Sequence, residues 1–203
     1  MQAARGASLS QDGSSDRTTT PTAGRDHRRR LLLLFGAIAL VAYATDVVTK
    51  IVVVHLLSGR PPVDVVGHLL RLTLARNPGA AFSTGTSYTA VLSCIAIIAA
   101  LGVLWYARRL GSLGWAVGLG FLLAGVLGNL TDRVFREPGF LQGHVIDFIM
   151  FPHFPVFNVA DICINIAAAV IIVQALRGVR IDGTRHPKDG DEPDATGPGG
   201  ASS

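Results

Sequence analysis

The chain has 203 residues, 49% of them hydrophobic and 16% charged, with a formal net charge of +4. That charge does not point to nucleic acid: six of the 18 basic residues precede Leu31 and four follow Leu176, flanking apolar runs in the pattern that sets membrane topology. Two cysteines, Cys94 and Cys163, both inside apolar runs, exclude a disulfide framework and a structural zinc site and read as small packing hydrophobes.

In chain order, residues 1–30 are rich in Ser, Thr, Gly, Ala and Arg and are expected to form a disordered basic tail. A first membrane span is expected over residues 31–57, interrupted by Asp46 and Lys50. Arg28-Arg29-Arg30, the apolar residues after it and Ala42-Tyr43-Ala44 resemble a secretory signal peptide, but apolar character continues through Val54, which favours a retained span. In the connection that follows, Leu70, Leu72 and Leu74 alternate with Arg71, Thr73 and Ala75, the period of a half-buried strand, and Asn77-Pro78-Gly79 then forces a turn. Residues 78–107 and 110–131 carry no Asp, Glu, Lys or Arg, and at about 1.5 Å per residue each run is long enough to cross roughly 30 Å of hydrocarbon. Further spans are expected over 88–107, 113–131 and 156–176, and residues 178–203 as a second disordered tail. The expected fold is an all-α membrane protein of four transmembrane helices, residues 31–177, with a small β-sheet and loop at the extracytoplasmic face.

Lys and Arg in the connections divide twelve to five when the N-terminus is placed inside, so both termini are expected in the cytoplasm. Trp105, Tyr106 and Trp115 bracket the short inner turn, where amphipathic rings favour the interface. Counting rises from the inner ends puts Asp46 at roughly 22 Å, Asn129 at roughly 28 Å and Asp161 at roughly 24 Å, close to one depth near the outer headgroups. Asp46 and Lys50 are four apart; Asn129, Asp132 and Arg133 share a face, as do Asn158, Asp161 and Asn165. These stripes are expected to face one another inside the bundle. Asp46 with Lys50, and Asp132 with Arg133, read first as ion pairs that fix helix packing.

Asp147 and Asp161 differ, since neither has a cation at local spacing. The aromatic, proline-interrupted segment between them, with Phe148, Phe151, Phe154 and Phe157, suits the interface and can fold back to bring the two carboxylates together. Two close carboxylates in a low-dielectric pocket do not both ionise cheaply, which is the condition for aspartyl proteolysis. No H-E-x-x-H, G-x-S-x-G, Walker A or strand-linked G-x-G-x-x-G occurs, and no metal or organic cofactor is expected. Gly125 and Gly128 read as sites of close helix contact. The alternative from another class is a proton- or ion-coupled transporter using the same carboxylates.

Five stretches together resemble the lipoprotein signal peptidases, or signal peptidase II, a family of bacterial membrane aspartyl proteases. They are Asp46-Val47-Val48-Thr49-Lys50, Asn77-Pro78-Gly79-Ala80-Ala81-Phe82, Gly128-Asn129-Leu130-Thr131-Asp132-Arg133, Val145-Ile146-Asp147-Phe148 and Phe157-Asn158-Val159-Ala160-Asp161, in the family's order across residues 31–177. Ala124, where the family often has glycine, is a small departure that bears on local packing. The resemblance implies cleavage of the signal peptide from a diacylglyceryl-modified prolipoprotein, just before the lipidated cysteine. It implies Asp147 and Asp161 as the catalytic pair, and Asp46, Lys50, Asn77, Gly79, Asn129, Asp132, Arg133 and Asn158 as residues that hold the dyad and substrate. It further implies a place in the bacterial cytoplasmic membrane and inhibition by globomycin-type cyclic peptides; separately, a monomer is expected.

Overall fold

The computed structural model describes residues 22–79 and 87–185. Its elements in order are helix α1 (Thr22–Leu57), strands β1 (Val63–Val66) and β2 (Leu70–Asn77), helices α2 (Ser87–Ala107) and α3 (Leu113–Phe135), strand β3 (Val145–Met150) and helix α4 (Val159–Leu176). All four helices are long and apolar enough to cross a membrane. Large apolar side chains face outward along them, Leu40 at 67% and Ile98 at 69% exposure, as lipid-facing surfaces require.

Helix α3 is the central element and packs against α1, α2 and α4. Small residues permit these approaches. A Cβ on Gly125 would stand 2.5 Å from the Ala160 carbonyl oxygen and 2.7 Å from Ile164, and one on Gly120 would stand 3.1 Å from the Phe35 carbonyl oxygen. Away from the sheet, Phe35 and Ala39 of α1, Ala100 and Val103 of α2 and Leu119 and Leu123 of α3 share one apolar core.

The strands form an antiparallel sheet in the order β1-β2-β3. Leu72 and Leu74 pack inward on a second core with Val53 and Leu57 of α1 and Ile146 and Phe148 of β3, which explains the alternation seen in the sequence. The β2–β3 register shifts between Leu72 and Ala75, after which Ala75 pairs with Asp147 and Asn77 with Val145. The bulge re-aims the end of β2 toward β3.

Several boundaries differ from expectation. Helix α1 begins at Thr22, inside the segment expected to be disordered, because the Arg-rich residues continue the helix beyond the apolar run. Residues 179–185 are also ordered: Val179 bridges to Arg185, and the Trp115 indole donates to the Val179 carbonyl at 2.8 Å. The remainder of both tails lies outside the described residues. Helix α3 runs on to Phe135, and α4 starts at Val159 rather than 156 because Asn158 caps it. The segment 145–150, expected only as part of an irregular link, is a strand, and Phe148 is buried in the second core rather than placed at an interface. Its mixture of apolar residues without strict alternation gave no period-2 signal.

Candidate active site

The site lies at the sheet end of the bundle, where α1, α3, α4 and β3 meet. Its base is Lys50, 1% exposed, whose ammonium contacts Asp46 at 2.8 Å and Asp132 at 2.9 Å and donates to the Asn129 Oδ1 at 3.0 Å. These three partners occupy all the donors an ammonium has. Asp46 accepts the Ala160 backbone N–H at 2.8 Å and so ties α1 to the start of α4. Asp132 accepts the Ile146 N–H at 3.1 Å, which fixes β3 against α3, and pairs with Arg136. With Lys50 and Arg136 against Asp46 and Asp132, this buried cluster is formally neutral, as burial of ions demands.

Above it stand the other two carboxylates. Asn158, fully buried, links them: its Nδ2 donates to Asp147 Oδ1 at 2.6 Å, while its Oδ1 accepts the Asp161 N–H at 3.0 Å. Asp161 in turn accepts the Asn158 N–H at 3.2 Å, completing a capping box at the start of α4. The Asn129 Nδ2 donates to Asp161 Oδ1 at 2.9 Å, and the Asn129 Oδ1 accepts from Asn158 at 3.2 Å. On the other side the Asn77 Nδ2 donates to Asp147 Oδ2 at 2.9 Å. The Asn77 Oδ1 accepts the Gly79 N–H at 2.8 Å, in a turn that needs the left-handed Gly79 backbone, φ +92°. Burial raises the Asp147 carboxyl above the ordinary carboxylate range; the amide donors Asn77 and Asn158 pull against it, and the nearby Asp161 charge reinforces it.

The residues named from the sequence therefore converge, with two exceptions of detail. Asp132 does not pair with its neighbour Arg133; its partners are Lys50 and, one turn on, Arg136. Arg133 instead carries a buried Nη1 that has no hydrogen-bond partner among the described residues, and it lies within electrostatic reach of Asp147 and Asp161. Asn165 leaves the polar stripe: it is exposed and donates to the Asp161 carbonyl. Arg136 was legible in principle, being at i,i+4 from Asp132. Gly143 was not, because its role depends on the Asp132 and Arg136 carbonyls that a Cβ would strike.

A sequence model described as signal peptidase (SPase) II matches residues 38–177. A lipoprotein signal peptidase of Mycobacterium avium is 44% identical over 86% of this chain and 96% of its own length. One of Rhodococcus jostii is 48% identical over 78% of this chain and 79% of its own. A solved bacterial membrane enzyme superposes with a TM-score of 0.62 at 31% identity, covering 70% of this chain and 91% of that one.

Proposed function

The chain belongs to the signal peptidase II family of membrane aspartyl proteases, and from that premise we propose that Asp147 and Asp161 are the dyad with which it cleaves a diacylglyceryl-modified prolipoprotein before the lipidated cysteine. The coarser activity, removal of signal peptides from prolipoproteins by a multi-pass membrane protein, follows from the family. One observation carries the dyad: a single buried side chain, Asn158, bonds Asp147 through its Nδ2 and the Asp161 backbone through its Oδ1.

Charge balance supports one shared proton. Arg133 lies near both carboxylates, so a dyad holding one proton and one charge leaves the group neutral. Asp147, 3% exposed and held above the ordinary carboxylate range by burial, is the proton carrier of the pair. Asp161 would take a proton from the attacking water while Asp147 hydrogen-bonds the scissile carbonyl and then protonates the leaving amine. The Asn77 and Asn129 amides hold the two carboxylates in register, and the unsatisfied Arg133 Nη1 is a donor for substrate carbonyls. No step calls for a metal or cofactor.

The basic residues Arg108, Arg109 and Arg177 stand at the end of the bundle away from the sheet, which supports cytoplasmic termini and an extracytoplasmic site. In that placement residues 31–177 form the peptidase unit, acting as a monomer among membrane lipids, and a globomycin-type peptide would compete for the dyad. The transporter reading has no observation in its favour; the buried ionisable groups gather at one end of the bundle.

The test is reconstitution of the purified chain with a diacylglyceryl-modified prolipoprotein. Asp147→Asn and Asp161→Asn should each fold and neither should cleave. Near-parental turnover by either would remove that residue from the dyad.

A further inference from the structure

Among the described residues, those of helix α2 make no bond to the network around the dyad, yet two of its hydroxyls are buried. Thr89 is 2% exposed and Ser93, one turn on, is 0% exposed. Other helix hydroxyls satisfy themselves on the carbonyl one turn back, as Thr45 does on Val41 at 2.8 Å and Thr131 on Leu127 at 2.8 Å. Thr89 stands in the first turn of α2, where the helix has no carbonyl one turn back, and donates to the Pro78 carbonyl. The Ser93 hydroxyl lies 2.9 Å from the Thr89 carbonyl one turn back and 2.7 Å from the Leu141 carbonyl, so its single proton is shared between its own helix and the loop.

Both acceptors belong to segments that deliver the site. Pro78 sits between Asn77, whose Nδ2 bonds Asp147, and Gly79, whose N–H bonds Asn77 Oδ1. Leu141 lies in the loop that leads into β3 and Asp147, and its φ of +62° is a left-handed backbone that a leucine adopts only when held. Pro78 has no backbone N–H, so its carbonyl is the main-chain handle on this residue, and Thr89 grips it.

We propose that Thr89 is a positioning residue for the peptidase reaction: by fixing the Pro78 carbonyl it sets the 77–79 turn and so aims the Asn77 amide at Asp147. Ser93 touches the facing loop at Leu141 but shares its proton with the Thr89 carbonyl, so the proposal is confined to Thr89. The inference rests on the reading of Asp147 as half of the dyad.

The experiment measures kcat and KM of the full chain, reconstituted with a diacylglyceryl-modified prolipoprotein, for Thr89→Val, Thr89→Ser, Asn77→Ala and the Thr89→Val, Asn77→Ala pair. Thr89→Val keeps the shape and removes the hydroxyl; it should lower kcat about tenfold, short of the roughly hundredfold loss of a 1 Å misplacement, with KM little changed. Thr89→Ser should restore kcat. On the Asn77→Ala background Thr89→Val should cost almost nothing further, because both act through one contact. Parental kcat in Thr89→Val, failure of serine to rescue, additive losses in the pair, or loss of cooperative melting in Thr89→Val would each overturn the positioning role while parental cleavage and a dead Asp147→Asn leave the dyad standing. A parent that does not cleave, or an active Asp147→Asn, would overturn the dyad and this inference with it.

Discussion

Lys50 of α1 reaches across to Asp132 of α3 at 2.9 Å with both side chains almost wholly buried. The same ammonium holds Asp46, so its removal leaves two carboxylates without their common cation. Lys50→Ala should destabilise the bundle by about 3–5 kcal/mol, the range for breaking a buried ion pair from one side. Thermal melting in detergent checks it, and an unchanged midpoint would show that the cluster reorganises around water.

Gly128 offers an independent probe of the same packing. A Cβ there would run into the Asp46 carboxylate and stand 3.1 Å from the Ala160 Cβ. Gly128→Ala should cost about 1–3 kcal/mol by overpacking and lower turnover, since Asp46 anchors the start of α4. Melting and cleavage should fall together.

Asn158 separates stability from chemistry. Its Oδ1 caps α4, and its Nδ2 serves Asp147 and Asn129. Serine can cap but cannot donate to both. Asn158→Ala should therefore melt below Asn158→Ser by about the 1 kcal/mol of a lost cap, while both lose turnover, on the order of a hundredfold. An active Asn158→Ser would show that the bridge is dispensable.

The pH dependence follows from the raised Asp147 carboxyl. Because the folded state holds this proton more tightly than the unfolded chain, the stability it contributes is complete below the ordinary value of 3.8. It is lost as pH rises through the raised value. Asp147→Asn should flatten that part of the stability profile. With Asp147 as proton carrier, its deprotonation sets the alkaline limb of activity. Asn77→Ala, which removes a hydrogen bond that lowers the Asp147 pKa, should shift that limb upward. A downward shift would assign the limb to another group.

Orientation is open to labelling with a membrane-impermeant thiol reagent in a background of Cys94→Ala and Cys163→Ala. His68→Cys, at a site 92% exposed beside the sheet, should react in intact cells. Arg108→Cys, at the opposite end, should react only after permeabilisation. The reverse pattern would invert the proposed topology.

What the sequence determined by itself was the membrane architecture and the cast of the site. Span length and hydropathy are local quantities set by bilayer thickness, and a charged residue inside a span has nowhere to go except toward another; hence Asp46, Lys50, Asn129, Asp132 and Asn158 could be named together. Partner choice was decided by the tertiary structure. Asp132 turned from adjacent Arg133 to Lys50 on another helix and to Arg136, because side chains four apart share a helix face and those one apart do not. Strand β3 and the reach of Thr89 to Pro78 likewise emerge only once distant segments share a sheet edge or a helix face. Pairing energy depends on distance in space, and the order of residues along the chain records little of it.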